Sequence, residues 1–177
     1  MRALLLMGLA LLMSGPAYAT TITKDMANAY FQDCASKPAQ GMSADNHKLM
    51  CACTAAKMME SMSVEDIKGM SVGDQNSRYI LNRMIVDVYA PCIDFPAREH
   101  YYNTCISNPV TLKMTRNPQK VCGCLGDEMA SYLKANSQNV FRDILSRNPN
   151  AQDPMSALTS DENFQGFAQK KLVGCLR

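Results

Sequence analysis

The eight cysteines are the residues of this chain best suited to do chemistry, and they fall into two similar groups of four. Each group contains a Cys-x-Cys pair flanked by one cysteine on either side. Closely spaced thiols can form structural disulfides, exchange disulfides with another protein or bind a soft metal ion. The cysteines are Cys34, Cys51, Cys53, Cys92, Cys105, Cys122, Cys124 and Cys175.

Structural disulfides are the interpretation that this spacing favours. The number of cysteines is even, and the two flanking cysteines of each group can pair with the two thiols of its Cys-x-Cys. Redox catalysis needs an exposed thiol without a permanent partner. The sequence also lacks the Cys-x-x-Cys motif in a βαβ context that is typical of thioredoxin-like enzymes. We therefore predict two disulfides in each group.

Two pairings remain open within each group. A bond between the two thiols of Cys-x-Cys would close a small strained ring, and residues i and i+2 of a helix point about 200° apart. The first group can therefore pair Cys34 with Cys51 and Cys53 with Cys92. It can equally pair Cys34 with Cys53 and Cys51 with Cys92, and the second group has the same choice. The sequence does not distinguish these alternatives.

Methionine and histidine side chains suggest copper binding as an alternative function. Met58 and Met62 carry soft thioether ligands, and His47 stands four residues before Cys51. Met58 and Met62 are spaced i and i+4 in a helical pattern, however, where methionine usually fills a core. We therefore predict no cofactor. A periplasmic copper-handling or thiol–disulfide protein is kept as the alternative function.

Motifs for hydrolysis or phosphate binding are missing from the sequence. The chain has two histidines, His47 and His100, and contains no Gly-x-Ser-x-Gly, no His-Glu-x-x-His and no glycine-rich phosphate loop. The formal net charge is +2, and basic residues do not cluster, which argues against a nucleic-acid partner. These observations favour a non-enzymatic protein whose partner is another protein.

Residues 1–19 have the pattern of a cleaved secretory signal peptide. Arg2 gives a positive start, an apolar run follows from Ala3 to Met13, and Ala17-Tyr18-Ala19 is a small-x-small cleavage site. A helix of this apolar length spans about 16 Å, roughly half of a bilayer core. We predict a periplasmic or secreted protein with no integral membrane segment after cleavage, in a compartment where disulfides persist.

The two cysteine groups predict an internal duplication. The intervals between cysteines are 17, 2 and 39 in the first group and 17, 2 and 51 in the second. The Cys-Ala-Cys triplet that begins at Cys51 matches the Cys-Gly-Cys triplet that begins at Cys122 at an offset of 71. Tyr30 and Tyr101 are separated by the same offset. The second copy is 12 residues longer between its Cys-x-Cys and its last cysteine.

The predicted fold is all-α, with two tandem three-helix units that are each stapled by two disulfides. The units span 20–94 and 95–177, and the second carries an inserted loop near 146–157, where Asn, Pro and Asp are dense. Apolar residues at helical spacing predict the helices. In the first unit, the first helix ends before Lys37 and the second covers His47–Met62 with Asn46 as its N-cap. The third helix runs from about Asp74 and ends at Pro91. In the second unit, the helices cover Pro96–Ile106, Pro118–Lys134 and Val140–Leu145, followed by a last helix capped by Ser160.

Four residues are candidates for contact with a partner. Tyr101 and Tyr102 combine an apolar ring with a polar tip, which suits a surface that stays partly wet, but packing between the two units is the interpretation that we favour for them. Asn148 and Asn150 lie in the predicted loop, and loops carried by a rigid scaffold often hold function. We predict an exported binding protein, such as an inhibitor or an immunity factor against a secreted toxin.

Overall fold

The computed structural model describes residues 19–37 and 41–177, and this part of the chain is mainly helical. It contains no β-sheet, and one isolated bridge joins Thr21 to Ser63. The predicted all-α class is therefore confirmed. The helices are α1 (Lys24–Ser36), α2 (Ala44–Ser61), α3 (Val64–Gly69), α4 (Gln75–Met84), α5 (Asp94–Ile106), α6 (Pro109–Met114), α7 (Pro118–Arg147), α8 (Pro154–Ser160) and α9 (Glu162–Cys175).

The predicted signal peptide lies, except for Ala19, outside the described residues. Within the described ranges, no helix is both long enough and apolar enough to cross a membrane. The longest of them, α7, has 30 residues and carries charged side chains such as Asp127 and Glu128.

Short polar side chains cap the start of every described α-helix except α5, and two of the predicted caps are wrong. The N-cap of α2 is Ser43, whose hydroxyl accepts the N–H of Asn46. The N-cap of α9 is Asp161, whose carboxylate accepts the N–H of Phe164, whereas Ser160 is the last residue of α8. Serine and aspartate cap as well as asparagine does, so neighbouring polar residues compete for the role.

The segment after α4 continues past Pro91 instead of ending there. A π-helical turn at Ile85–Tyr89 and a 3-10 turn at Ala90–Cys92 lead directly into α5. Pro91 stands at the start of the 3-10 turn, where its missing N–H costs little. Val88 and Ile93 are buried in this stretch, so the chain passes residue 94 without an exposed linker.

The long helix α7 joins two helices that the sequence pattern separates. It runs without a break through residues 135–139, and Leu133, Ser137 and Phe141 form a buried stripe at four-residue intervals. Because α7 reaches Arg147 and α8 begins at Pro154, only 148–153 remains as a connection within the predicted loop. Much of the extra length of the second half therefore lies in a helix.

The buried apolar residues form two clusters. The smaller one is built from the N-terminal segment and from α1, α2 and α4 with the π-turn that follows it. Its members are Ile22, Ala27, Ala55, Met58, Met62, Ile80, Met84 and Val88. The larger one surrounds α7 and includes Met129, Leu133 and Phe141. Ile85 and Ile93 also belong to the larger cluster, so residues on both sides of the predicted boundary share one core.

Four disulfides join the helices, and they follow the first of the two open pairings in both cysteine groups. In each group the first cysteine of Cys-x-Cys binds the preceding flanking cysteine and the second binds the following one. The described part of the chain has no free cysteine. The bonds are Cys34–Cys51, Cys53–Cys92, Cys105–Cys122 and Cys124–Cys175.

We expect no thiol to react when the unreduced protein is denatured and alkylated, because all eight cysteines are paired. After reduction, all eight should take up the reagent. Mass spectrometry of the alkylated protein measures both numbers. A pair of reactive thiols before reduction would contradict the observed pairing and would favour the copper or thiol–disulfide alternative.

Candidate binding cleft between α2, α5 and α7

An open cleft of about 560 Å³ lies where the start of α2 meets α5 and α7, and we call it the interhelical cleft. This volume falls within the range of typical ligand sites, about 300–1,000 Å³. Both polar and apolar groups line it. The lining residues are Gly41, Met42, Ser43, Arg98, Glu99, Tyr102, Asn103, Gly123 and Gly126.

Two helices supply most of the lining because of their periodicity. On α5, Glu99, Tyr102 and Asn103 are spaced three and four residues apart, so their side chains lie on one face. On α7, Gly123 and Gly126 are three residues apart and carry no side chain that could fill the space. The cleft exists because the side chains of α5 border a helix face that is bare at two positions.

Gly126 allows α5 and α7 to approach at backbone distance. A Cβ atom at this position would lie 2.7 Å from the carbonyl oxygen of Arg98 and 3.5 Å from the Cβ of Tyr102. A Cβ at Gly123 would meet nothing within 4 Å. Gly126 is therefore needed for helix packing, whereas Gly123 only leaves the cleft open.

Glu99 ties α5 to the start of α2. Its carboxylate accepts the backbone N–H and the hydroxyl of Ser43, each at 2.5 Å, and the side-chain amide of Asn46 at 2.7 Å. Partial burial acts to raise the pKa of Glu99, but the hydrogen bonds from Ser43 and Asn46 outweigh it and hold the pKa below its ordinary value. Glu99 is therefore a fixed anion that stabilises the fold.

The other polar groups of the cleft are also engaged with neighbours. Arg98 forms an ion pair with Asp127, with 2.6 Å between Nε and Oδ1. Both side chains are more than half exposed, so this pair contributes little to stability. The side-chain amide of Asn103 donates to the carbonyl oxygen of Gly41 at 3.3 Å. The cleft therefore presents charges that are already paired.

The structure does not bring the four candidate interaction residues together. Tyr102 lines the interhelical cleft and is half-buried. Tyr101 points away from the interhelical cleft, and only 9% of it is exposed. The centroid of its ring lies 6.2 Å from that of Phe164. Asn148 and Asn150 lie at two separate smaller clefts beside the 148–153 connection. Tyr102 is the one of the four that contributes to the interhelical cleft.

Burial changes the acid–base properties of two residues on the opposite side of α5. It raises the pKa of Tyr101 and lowers the pKa of His100. The His100 ring meets Tyr101 edge-on, with 5.3 Å between centroids, and borders a groove of about 250 Å³ that also contains Leu125 and Leu172. Both residues are thus held in their neutral forms near neutral pH.

The candidate copper ligands have different surroundings. Met58 and Met62 are buried in the smaller core cluster, as expected for methionine that fills a core. His47 lies beside a disulfide, with 3.4 Å between its Nε2 and the Sγ of Cys51. The potential ligand atoms of Cys34, His47 and Cys51 lie within 4.8 Å of one another. Because the two sulfurs are bonded together, the imidazole is the one ligand that this group offers.

Several residues of the cleft were missed by sequence reasoning. Arg98, Glu99 and Asn103 look like ordinary solvated side chains of a helix, and no local pattern distinguishes them. The sequence does indicate a role for Gly126, because an isolated glycine within a predicted helix often allows close packing against a neighbouring element.

Comparison of the chain with protein-family models, with curated proteins and with solved structures gave no match in any of the three. The fold and the sulfur pairing define the class as an all-α protein held by four disulfides. The role of the interhelical cleft therefore has to be derived from its own residues.

Proposed function

We propose that this chain is an exported, non-enzymatic binding protein that holds a segment of another protein in the interhelical cleft. The observation that carries the proposal is the state of the cleft's charged groups. Glu99 is a hydrogen-bonded anion and Arg98 is paired with Asp127. Acid–base or nucleophilic catalysis needs a group that can exchange a proton or attack a substrate. Glu99 is held as an anion by its hydrogen bonds, so it is poorly suited to either role.

The remaining surface of the cleft suits a polypeptide. Tyr102 offers a rigid aromatic ring, and tyrosine is enriched at the energetic centres of protein interfaces. Gly123 leaves space in which a partner side chain can lie against the backbone of α7. Asn103 adds an amide that can hydrogen-bond to a peptide. An inhibitor or an immunity factor that acts on a secreted protein would use a site of this kind.

The arrangement of sulfurs supports the remaining parts of the proposal. We infer that the two halves descend from one duplicated unit, since Cys34–Cys51 and Cys105–Cys122 have the same position in their groups and the same separation of 17 residues. Four disulfides suit an oxidising compartment, which agrees with a leader that directs export to the periplasm or beyond it.

Photocrosslinking tests the cleft directly. A benzoylphenylalanine incorporated in place of Tyr102 is expected to give a discrete crosslinked product with a protein of the envelope or culture fraction. The same group in place of Tyr79, which is 62% exposed on α4, is expected to give none. Gel electrophoresis and mass spectrometry identify the products, and the oxidised mature protein is used in both cases.

A blocked cleft provides the control. Gly123→Leu adds an apolar side chain to the cleft at a position where a Cβ atom meets nothing within 4 Å. Excess unlabelled protein with the natural sequence should abolish the Tyr102-position product, whereas the Gly123→Leu protein should not. Equal products from positions 102 and 79, or equal competition by both proteins, would refute binding in the interhelical cleft.

A further inference from the structure

The Cys34–Cys51 disulfide differs from the other three in having an imidazole beside it. His47 precedes Cys51 by one helical turn on α2, which brings its Nε2 to 3.4 Å from the Cys51 sulfur. Among the described residues, no other disulfide sulfur has a histidine within hydrogen-bond distance. The corresponding position before Cys122, at the offset of 71, is Pro118.

The two sulfurs of this bond also differ in access. Cys51 is fully buried, with 0% exposed, whereas Cys34 on the last turns of α1 is half-buried. Cys34 is therefore the more accessible residue of the pair, and we expect an attacking thiolate to bond to its sulfur. The sulfur that must leave is the one in contact with His47, and a leaving thiolate departs faster when its negative charge is neutralised.

We propose that Cys34–Cys51 is a thiol–disulfide exchange site in which His47 supplies the proton to the departing sulfur of Cys51. This activity is independent of the interhelical cleft. The co-reactant is a dithiol, such as a Cys-x-x-Cys oxidoreductase of the same compartment or, in the test, dithiothreitol.

The exchange balances in two steps. A thiolate of the dithiol bonds to the sulfur of Cys34, the Cys34–Cys51 bond breaks, and its electron pair goes to the sulfur of Cys51, which takes the proton of the His47 imidazolium. The second thiolate of the dithiol then attacks the mixed disulfide and releases Cys34 as a thiolate. Two electrons pass from the dithiol, which becomes a disulfide, to the cysteine pair.

The chain contains its own matched reference for this reaction. Cys53–Cys92 also joins a half-buried sulfur to a fully buried one, with Cys92 at 0% exposed, but no histidine contacts it. Cys53–Cys92 therefore serves as a reference of the same burial class, and substitution of His47 separates the effect of the imidazole from that of access. Cys124–Cys175 joins two half-buried cysteines and has no histidine within hydrogen-bond distance, so it is a second reference bond.

The test measures the reduction rate of each bond in the folded protein. Oxidised protein is treated with dithiothreitol, quenched, alkylated and mapped by peptide mass spectrometry. We expect Cys34–Cys51 to be reduced faster than Cys53–Cys92.

His47→Gln keeps a similar size and an amide donor but carries no ionisable proton. It is therefore expected to slow reduction of Cys34–Cys51 by roughly tenfold or more and to leave the other three rates unchanged. Lys48→Gln, an exposed neighbour on the same helix, is the matched control and should change none of them.

Two outcomes would overturn the proposal. The first is an unchanged or faster reduction of Cys34–Cys51 in His47→Gln while the other rates stay constant. The second needs no variant: oxidised protein with the natural sequence is exposed to glutathione, and the mixed disulfide is mapped. A glutathione adduct on Cys34 supports the assigned direction of attack, and an adduct on Cys51 contradicts it. This second measurement decides the direction of attack, on which the proposal depends, even if His47→Gln loosens the fold and accelerates all four bonds together.

Discussion

Replacing Cys124 and Cys175 together by alanine is expected to lower the free energy of unfolding by about 4 kcal/mol. The bond closes a segment of 51 residues, the longest of the four, and the constraint that a disulfide places on the unfolded chain grows slowly with this length. In the folded state α9 packs on α7 mainly through partly buried side chains. Phe164 is its one buried residue, and the rings of Phe164 and Phe167 lie against that of Tyr132 of α7. Chemical denaturation measures the change.

The effect of this double substitution should be concentrated at the C-terminus. Hydrogen exchange is expected to show loss of protection in Glu162–Cys175 and retained protection in α7, whose Leu133 and Phe141 are fully buried. The matched control removes Cys105 and Cys122, which close only 17 residues and are expected to contribute about 3 kcal/mol. Unchanged protection of α9 after removal of its disulfide would contradict the argument.

The disulfide framework could be predicted from the sequence, but the choice of pairing could not. The limit to two alternatives came from local geometry, because residues i and i+2 of a helix diverge. Which cysteine faces which neighbour depends on the rotation of α2, and this is set by its buried face. Cys51 lies on that face with Thr54 and Met58, at helical spacing, so it meets α1. Tertiary packing sets that rotation, and the spacing of the cysteines carries no information about it.

The length of α7 shows the same limit for secondary structure. Residues 135–139 read Ala-Asn-Ser-Gln-Asn, and asparagine and serine have weak helix propensity, so the local pattern favoured an interruption. In the folded protein Ser137 is buried between Leu133 and Phe141 on the stripe that enters the larger core cluster. Burial of that stripe outweighs the propensity of the polar residues.

The interhelical cleft was only partly predictable for a related reason. Tyr102 could be chosen from its residue type, since an aromatic ring with a polar tip is recognisable in isolation. Glu99 could not, because its role depends on Ser43, which is 56 residues away in the chain. Contacts between distant segments turn an ordinary surface carboxylate into the anchor of a helix start.

Gly126→Ala is expected to be less stable than Gly123→Ala by about 1–3 kcal/mol, although the two substitutions are chemically identical and lie one turn apart on α7. Both variants gain the helix propensity of alanine, worth up to about 1 kcal/mol relative to glycine. Only the methyl group at position 126 would enter a backbone contact, at 2.7 Å from the carbonyl oxygen of Arg98. That oxygen is held by α5, so the helices must separate to accommodate it.

Comparison of the two variants isolates the steric cost, since the propensity gain is common to both and cancels in the difference. Thermal and chemical denaturation of both proteins measure it, with the natural sequence as the reference. Gly123→Ala should be as stable as the reference or slightly more stable, because a Cβ there meets nothing within 4 Å. Equal stability of the two variants would mean that α5 and α7 are not in backbone contact at Gly126. In that case the floor of the interhelical cleft would differ from the one on which the proposed binding site depends.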